Sequence, residues 1–90
     1  MERLTDKHCF ELLQFRAAII SENLKRERRK SGLTLEEVAF LTNLGKDTIL
    51  YCERGIGRTR KIFVPTINTL DRVAKVFNIP ISDLIIKKHG

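Results

Sequence analysis

Within six residues, Lys46, Asp47, Leu50 and Tyr51 supply a cation, a carboxylate, an apolar edge and a phenol. At helical spacing these four face outward, while Thr48, Ile49 and Cys52 turn toward a core. Donors, acceptors and apolar atoms on one exposed helix face suit recognition by contact. They do not suit covalent chemistry. His8, His89, Ser21 and the carboxylates show no nucleophile–base spacing, and the chain has no glycine-rich phosphate loop and no metal motif. No enzyme activity, cofactor or metal is therefore expected. Cys9 and Cys52 stand alone, without a CxxC or HxxxH pattern, and read as two free thiols.

The elements that must hold those four side chains lie between Thr34 and Gly55. Thr34 and Glu37 form a T-x-x-E capping box, each satisfying a backbone N–H at a helix start. Leu35, Val38, Ala39 and Thr42 follow at helical spacing. Asn43 stands where a left-handed residue stops the helix. Leu44 turns into the core, and Gly45 caps a second helix. Two helices fixed by a short turn, the second offering its first residues outward, is the helix-turn-helix arrangement for reading DNA.

Charge placement agrees with such a role. Between Lys25 and Lys61 the chain carries ten basic and five acidic side chains, so this stretch holds +5 of the total +6. Lys25, Arg26, Arg28, Arg29 and Lys30 precede the two helices, where they also complement the dipole of the helix they end. Arg54, Arg58, Arg60 and Lys61 follow. Basic residues on both sides of a groove-reading helix are what phosphate contacts require.

Ninety residues make one domain with a modest core. No apolar run approaches the roughly eighteen residues of a membrane span. The N-terminus lacks the order of a secretory signal, so the cytoplasm is the expected compartment. A first helix is expected from Thr5 or Asp6 to Lys30, with Gly32 closing it. Residues 1–18 form a helical extension continuous with that helix, and residues 19–90 the domain proper, its helix-turn-helix at 34–55. Phe10, Leu13, Ala17, Ile20 and Leu24 make a 3-4-3-4 apolar stripe, widened by Leu12, Phe15 and Ile19. Phe10, Leu13 and Ala17 reach further than the core should. They pack on the chain's own C-terminal helix or form a dimer contact.

The nine residues Ile56 to Val64 read as a loop marked by Gly57, with Ile62 to Val64 as a brief extended stretch. Thr66 caps a fourth helix that buries Ile67, Leu70, Val73, Ala74 and Phe77, and Asn78 ends it as Asn43 ends the second. A short last helix at about 81–86 closes the core with Leu84 and Ile85.

With these elements placed, LKRERRKSGLTLEEVA (24–39), TILYCERG (48–55) and PTINTLDRVAKVFNIPISDLI (65–85) together resemble the lambda-repressor-like, or XRE-type, helix-turn-helix family. The resemblance spans about Ile20 to Ile86. It implies an all-α fold: a compact five-helix DNA-binding domain, here with an extended N-terminal helix. In that family an Arg late in the first helix pairs with a Glu ending the recognition helix, and Arg28 and Glu53 occupy those places as a structural pair.

The resemblance also assigns contacts with double-stranded DNA. Base reading falls to Lys46, Asp47, Thr48, Leu50 and Tyr51. Lys46 would donate to guanine O6 and N7, Asp47 would accept from cytosine N4, and Leu50 or Tyr51 would meet a thymine methyl. Gly45, Arg54, Arg58, Arg60 and Lys61 would meet phosphate or the minor groove. Leu35 departs from the Gln that often opens the second helix, so that family contact is expected to be lost. Asp47 narrows sequence choice, Cys52 is smaller than usual, and the 56–64 loop is longer.

The implied function is a sequence-specific regulator of transcription, a repressor, acting as a homodimer on a palindromic operator. The alternative is an antitoxin or protein-interaction module of the same fold, whose main partner is a toxin or another protein. The basic residues flanking the reading helix favour DNA.

Overall fold

The computed structural model describes residues 2–88. Five helices follow in order: α1 (Asp6–Ser31), α2 (Leu35–Thr42), α3 (Lys46–Arg54), α4 (Ile67–Phe77) and α5 (Ser82–Ile85). No strand occurs among the described residues, only an isolated antiparallel bridge between Ile56 and Ile62. His89 lies outside the described residues.

Local chemistry sets the boundaries. Thr5 rather than Asp6 caps α1: its hydroxyl accepts from the His8 backbone N–H at 3.1 Å, and His8 reaches back to the Thr5 N–H. Thr34 and Glu37 make the reciprocal capping box that opens α2. Thr66 caps α4. Asn43 and Asn78 close α2 and α4 in the left-handed region, at φ 58° and 57°. Asn takes that conformation more readily than other side chains because its short amide bonds locally. The last helix is shorter than its sequence suggested, spanning only Ser82–Ile85.

One apolar cluster holds the helices together. It comprises Ile20 and Leu24 of α1, Val38 and Ala39 of α2, Ile49 and Cys52 of α3, Leu70, Val73 and Ala74 of α4, and Leu84 of α5. Ile67 departs from expectation. It continues the stripe of Leu70 and Ala74, yet as the first residue of α4 it lies a turn past the packed region and is exposed.

Helix α1 sets the long dimension of the molecule, which extends 44 Å. Its second half is buried, and its first half projects. The C-terminal helix does not cover that first half, which overturns one of the two expectations for Phe10 and Leu13. Asn23 shows why: its amide donates to the carbonyls of Leu84 and Ile86, each at 2.9 Å, so α5 docks midway along α1. Thirteen residues of helix separate Asn23 from Phe10, or roughly 20 Å at 1.5 Å per residue. Phe10, Leu12, Leu13 and Phe15 remain about half exposed. Ala17, by contrast, is buried within the chain beneath Gly55. It leaves the candidate outer contact to Phe10 and Leu13.

Candidate nucleic-acid interface

Helix α3 is fixed from three sides. Its sequence places Ile49 and Cys52 inward, where both are fully buried. Its last turn is locked by Arg28, whose guanidinium donates to both carboxylate oxygens of Glu53, with Nη2 to Oε1 at 3.0 Å. Arg28 Nη1 also donates to the Leu33 carbonyl at 2.9 Å. The hydrogen bonds that Arg28 donates to this carboxylate raise its pKa above the ordinary value, against the smaller opposing effect of burial. The Ser21 hydroxyl donates to the Glu53 backbone carbonyl, a tie from α1 that the sequence did not suggest.

Gly55 ends α3 at φ 69°, and a Cβ there would lie 3.3 Å from the Ala17 carbonyl oxygen. Only glycine both accepts that conformation and lets the two backbones approach. On the outer side, the Tyr51 ring packs tilted on Phe63 with centroids 5.7 Å apart. That contact joins α3 to the following loop.

The loop itself is more ordered than its glycine and charges implied. Ile56 and Ile62 pair, Gly57 donates to the Lys61 carbonyl at 2.8 Å, and Phe63 donates to the Gly55 carbonyl at 2.9 Å. Arg60 N–H closes the tip on the Gly57 carbonyl at 3.0 Å, with Arg60 itself left-handed at φ 61°. The result is a small hairpin carrying Arg58, Arg60 and Lys61, all exposed.

The structure brings much of the expected set together. Asp47, Leu50 and Tyr51 of α3 share one shallow concavity of about 540 Å³ with Arg54, Arg58 and Arg60. Lys46 and Asp47 are exposed, and Leu50 and Tyr51 are half-buried. Thr48 is also half-buried, facing neither fully inward nor fully out, with its hydroxyl near Gly45. Gly45 caps α3 without any side-chain bond, which leaves the first N–H groups of the helix open.

The basic residues flanking α3 are not equivalent. On the α1 side Arg28 is engaged by Glu53, while Arg26 and Lys30 lie within 3.8 Å and 3.6 Å of Glu27. Arg54, Arg58, Arg60 and Lys61 form no ion pair among the described residues. Lys25 and Arg29 on the α1 side are likewise in no ion pair among the described residues, so unpaired cations flank α3 on both sides, two on α1 and four from Arg54 through the hairpin.

Two further residues escaped the sequence reading. Arg72 of α4 donates to the carbonyls of Thr42 and Asn43 at 3.3 and 3.4 Å, bracing the turn between α2 and α3. Glu36 of α2 lies 2.7 Å from the Lys46 ammonium. Leu35, beside it, is half-buried against the core. Glu36 is a first-turn acid like many others, and nothing in its spacing signals a partner ten residues away.

Beside the interface, an open groove of about 890 Å³ runs between the first half of α1 and the hairpin. Phe10, Leu13, Ile56 and Ile62 supply apolar surface, and Lys25, Arg54, Arg60 and Lys61 lie along it. Among the described residues there is no group of three metal-ligating side chains and no helix long and apolar enough to cross a membrane.

The family model described as helix-turn-helix matches residues 24–84 of the chain. No curated protein and no solved structure matches it.

Proposed function

The chain belongs to the XRE/lambda-repressor-like helix-turn-helix family of DNA-binding regulators, and from that premise we propose that it is a sequence-specific repressor reading the major groove with α3. The observation that carries this reading is the shared concavity of Asp47, Leu50 and Tyr51 with Arg54, Arg58 and Arg60. Base-edge chemistry and phosphate chemistry lie there within one surface. Lys46 donates to guanine, Asp47 accepts from cytosine, and Leu50 or Tyr51 meets a thymine methyl. Thr48, half-buried, adds at most a contact at the edge of this set. Gly45 and the opening N–H groups of α3 meet phosphate. The hairpin cations Arg58, Arg60 and Lys61, with Arg54, engage the backbone or enter the adjacent minor groove.

A second copy completes the binding unit. Phe10 and Leu13 carry a helical apolar stripe past the point where the domain covers it, and Ile56 and Ile62 supply matching surface across the groove. Pairing of two chains there would present two α3 helices to a palindrome with half-sites about one helical turn, ~34 Å, apart. The cytoplasm is the compartment this role requires.

Selection of bound sequences from a random DNA pool tests the proposal. Enrichment of an inverted repeat is the expected result. A chain that enriches no sequence at low salt would be a protein-interaction module instead, with the groove at Phe10 and Leu13 receiving a toxin or other protein.

A further inference from the structure

Glu36 is the second residue of α2 and Lys46 the first of α3, and Glu36 Oε1 lies 2.7 Å from Lys46 Nζ. This ion pair does little for folding. Both side chains are more than half exposed, and such pairs are screened by salt and opposed by lost side-chain freedom. Its consequence is local. An unrestrained lysine moves its ammonium freely on a four-carbon stem, whereas one tied at its tip to a neighbouring helix holds it at one corner.

The charge of that corner is unusual for this surface. The Lys46 ammonium is flanked by the carboxylates of Glu36 and Asp47, and the hydrogen bond to Glu36 is the main reason its pKa is raised. The reciprocal bond holds the Glu36 carboxyl below its ordinary range. One cation between two anions contrasts with the cations of the hairpin, which have no ion-pair partner among the described residues. Phosphate is attracted without opposition at the hairpin, whereas at the Lys46 corner the two carboxylates offset much of the pull from the opening N–H groups of α3. A duplex accepted at that corner must therefore repay the approach with base-edge contacts.

We propose that Glu36 is a specificity-determining positioning residue, which holds the Lys46 ammonium in place for a guanine edge and weakens binding to duplexes that offer none. This rests on the DNA-reading role of α3. The test uses the full chain, with Glu36→Gln, Lys46→Ala and the double variant, titrated against the selected duplex and its single-base variants. Glu36→Gln should keep its melting temperature and bind unrelated duplex severalfold more tightly. It should also lose roughly tenfold in preference at the guanine pair. In the Lys46→Ala background the same change should alter that preference no further.

Unchanged preference in Glu36→Gln overturns the proposal, and so does an equal loss in both backgrounds. Failure of the underlying reading looks different. The unaltered chain would then enrich no sequence at all, and the role of Glu36 would fall with it.

Discussion

Arg28 in the last turn of α1 and Glu53 in the last turn of α3 meet in a two-pronged ion pair, with the Leu33 carbonyl accepting from the same guanidinium. The pair is mostly buried, so its two partners are not independently removable. A carboxylate or guanidinium left alone there keeps its desolvation cost and loses its compensation.

Glu53→Ala or Arg28→Ala should each destabilise the domain by about 3 kcal/mol in urea unfolding. Replacing both with apolar residues, Arg28→Met with Glu53→Leu, should recover much of that loss. If the double variant is as unstable as the singles, the loss in the singles does not come from an uncompensated buried charge. The base preference of the refolded double variant should be unchanged, because neither group faces the reading surface.

Lys46→Ala and Tyr51→Ala should each cost ~1–3 kcal/mol in operator binding and relax base preference at one position. Competition titrations against single-base operator variants give the result. Unchanged binding in both would remove α3 from the reading role. Tyr51→Phe separates two functions of that ring: it retains the packing on Phe63 and removes only the phenol.

Arg60 adopts a left-handed conformation that costs a non-glycine residue about 1 kcal/mol. Arg60→Gly should therefore leave the hairpin as stable or more so by thermal melting. The same change should weaken binding to all sequences alike and lower the salt slope of log K by about 1. An unaltered salt slope would show that the guanidinium does not meet phosphate.

Leu13 is 50% exposed on the uncovered half of α1. Leu13→Glu should leave the chain folded by circular dichroism and convert a dimer to a monomer by light scattering. A dimer that persists in this variant places the interface elsewhere. Phe10→Glu should act in the same direction, whereas Ala17→Glu should unfold the domain, since Ala17 is buried beneath Gly55.

The two thiols should behave oppositely. Cys9 is exposed and should react with a thiol reagent at once in the native protein. Burial pushes the Cys52 thiol from 9.0 up to about 12, so it should react only on unfolding. Because the unfolded chain releases this proton at a lower pH than the folded one, stability should fall as pH rises from about 9 toward 12. A stability that rises over that range would contradict the burial of Cys52.

The local devices were legible in the sequence because each acts within a few residues. Thr34 with Glu37, Asn43, Thr66 and Asn78 mark helix ends by short-range hydrogen bonding or left-handed backbone, and the structure has them so. The alternation of Ile49 and Cys52 with Leu50 and Tyr51 likewise separates inner from outer face, since periodicity is a property of one helix. Even Arg28 and Glu53 were accessible, although only by resemblance and not by spacing.

What the tertiary structure decided is how far each stripe is covered and which charges find partners. The stripe on α1 is continuous from Phe10 to Leu24 in sequence, yet α5 docks through Asn23 and leaves Phe10 and Leu13 bare. The basic residues around α3 look alike as letters. Glu53 and Glu27 engage Arg28, Arg26 and Lys30 on the α1 side, while none of the hairpin cations has an ion-pair partner among the described residues. Glu36 reaches Lys46 only because the turn at Asn43 brings the start of α3 beside that of α2. Burial and pairing depend on the distance between elements, and a single chain of residue types does not carry that distance.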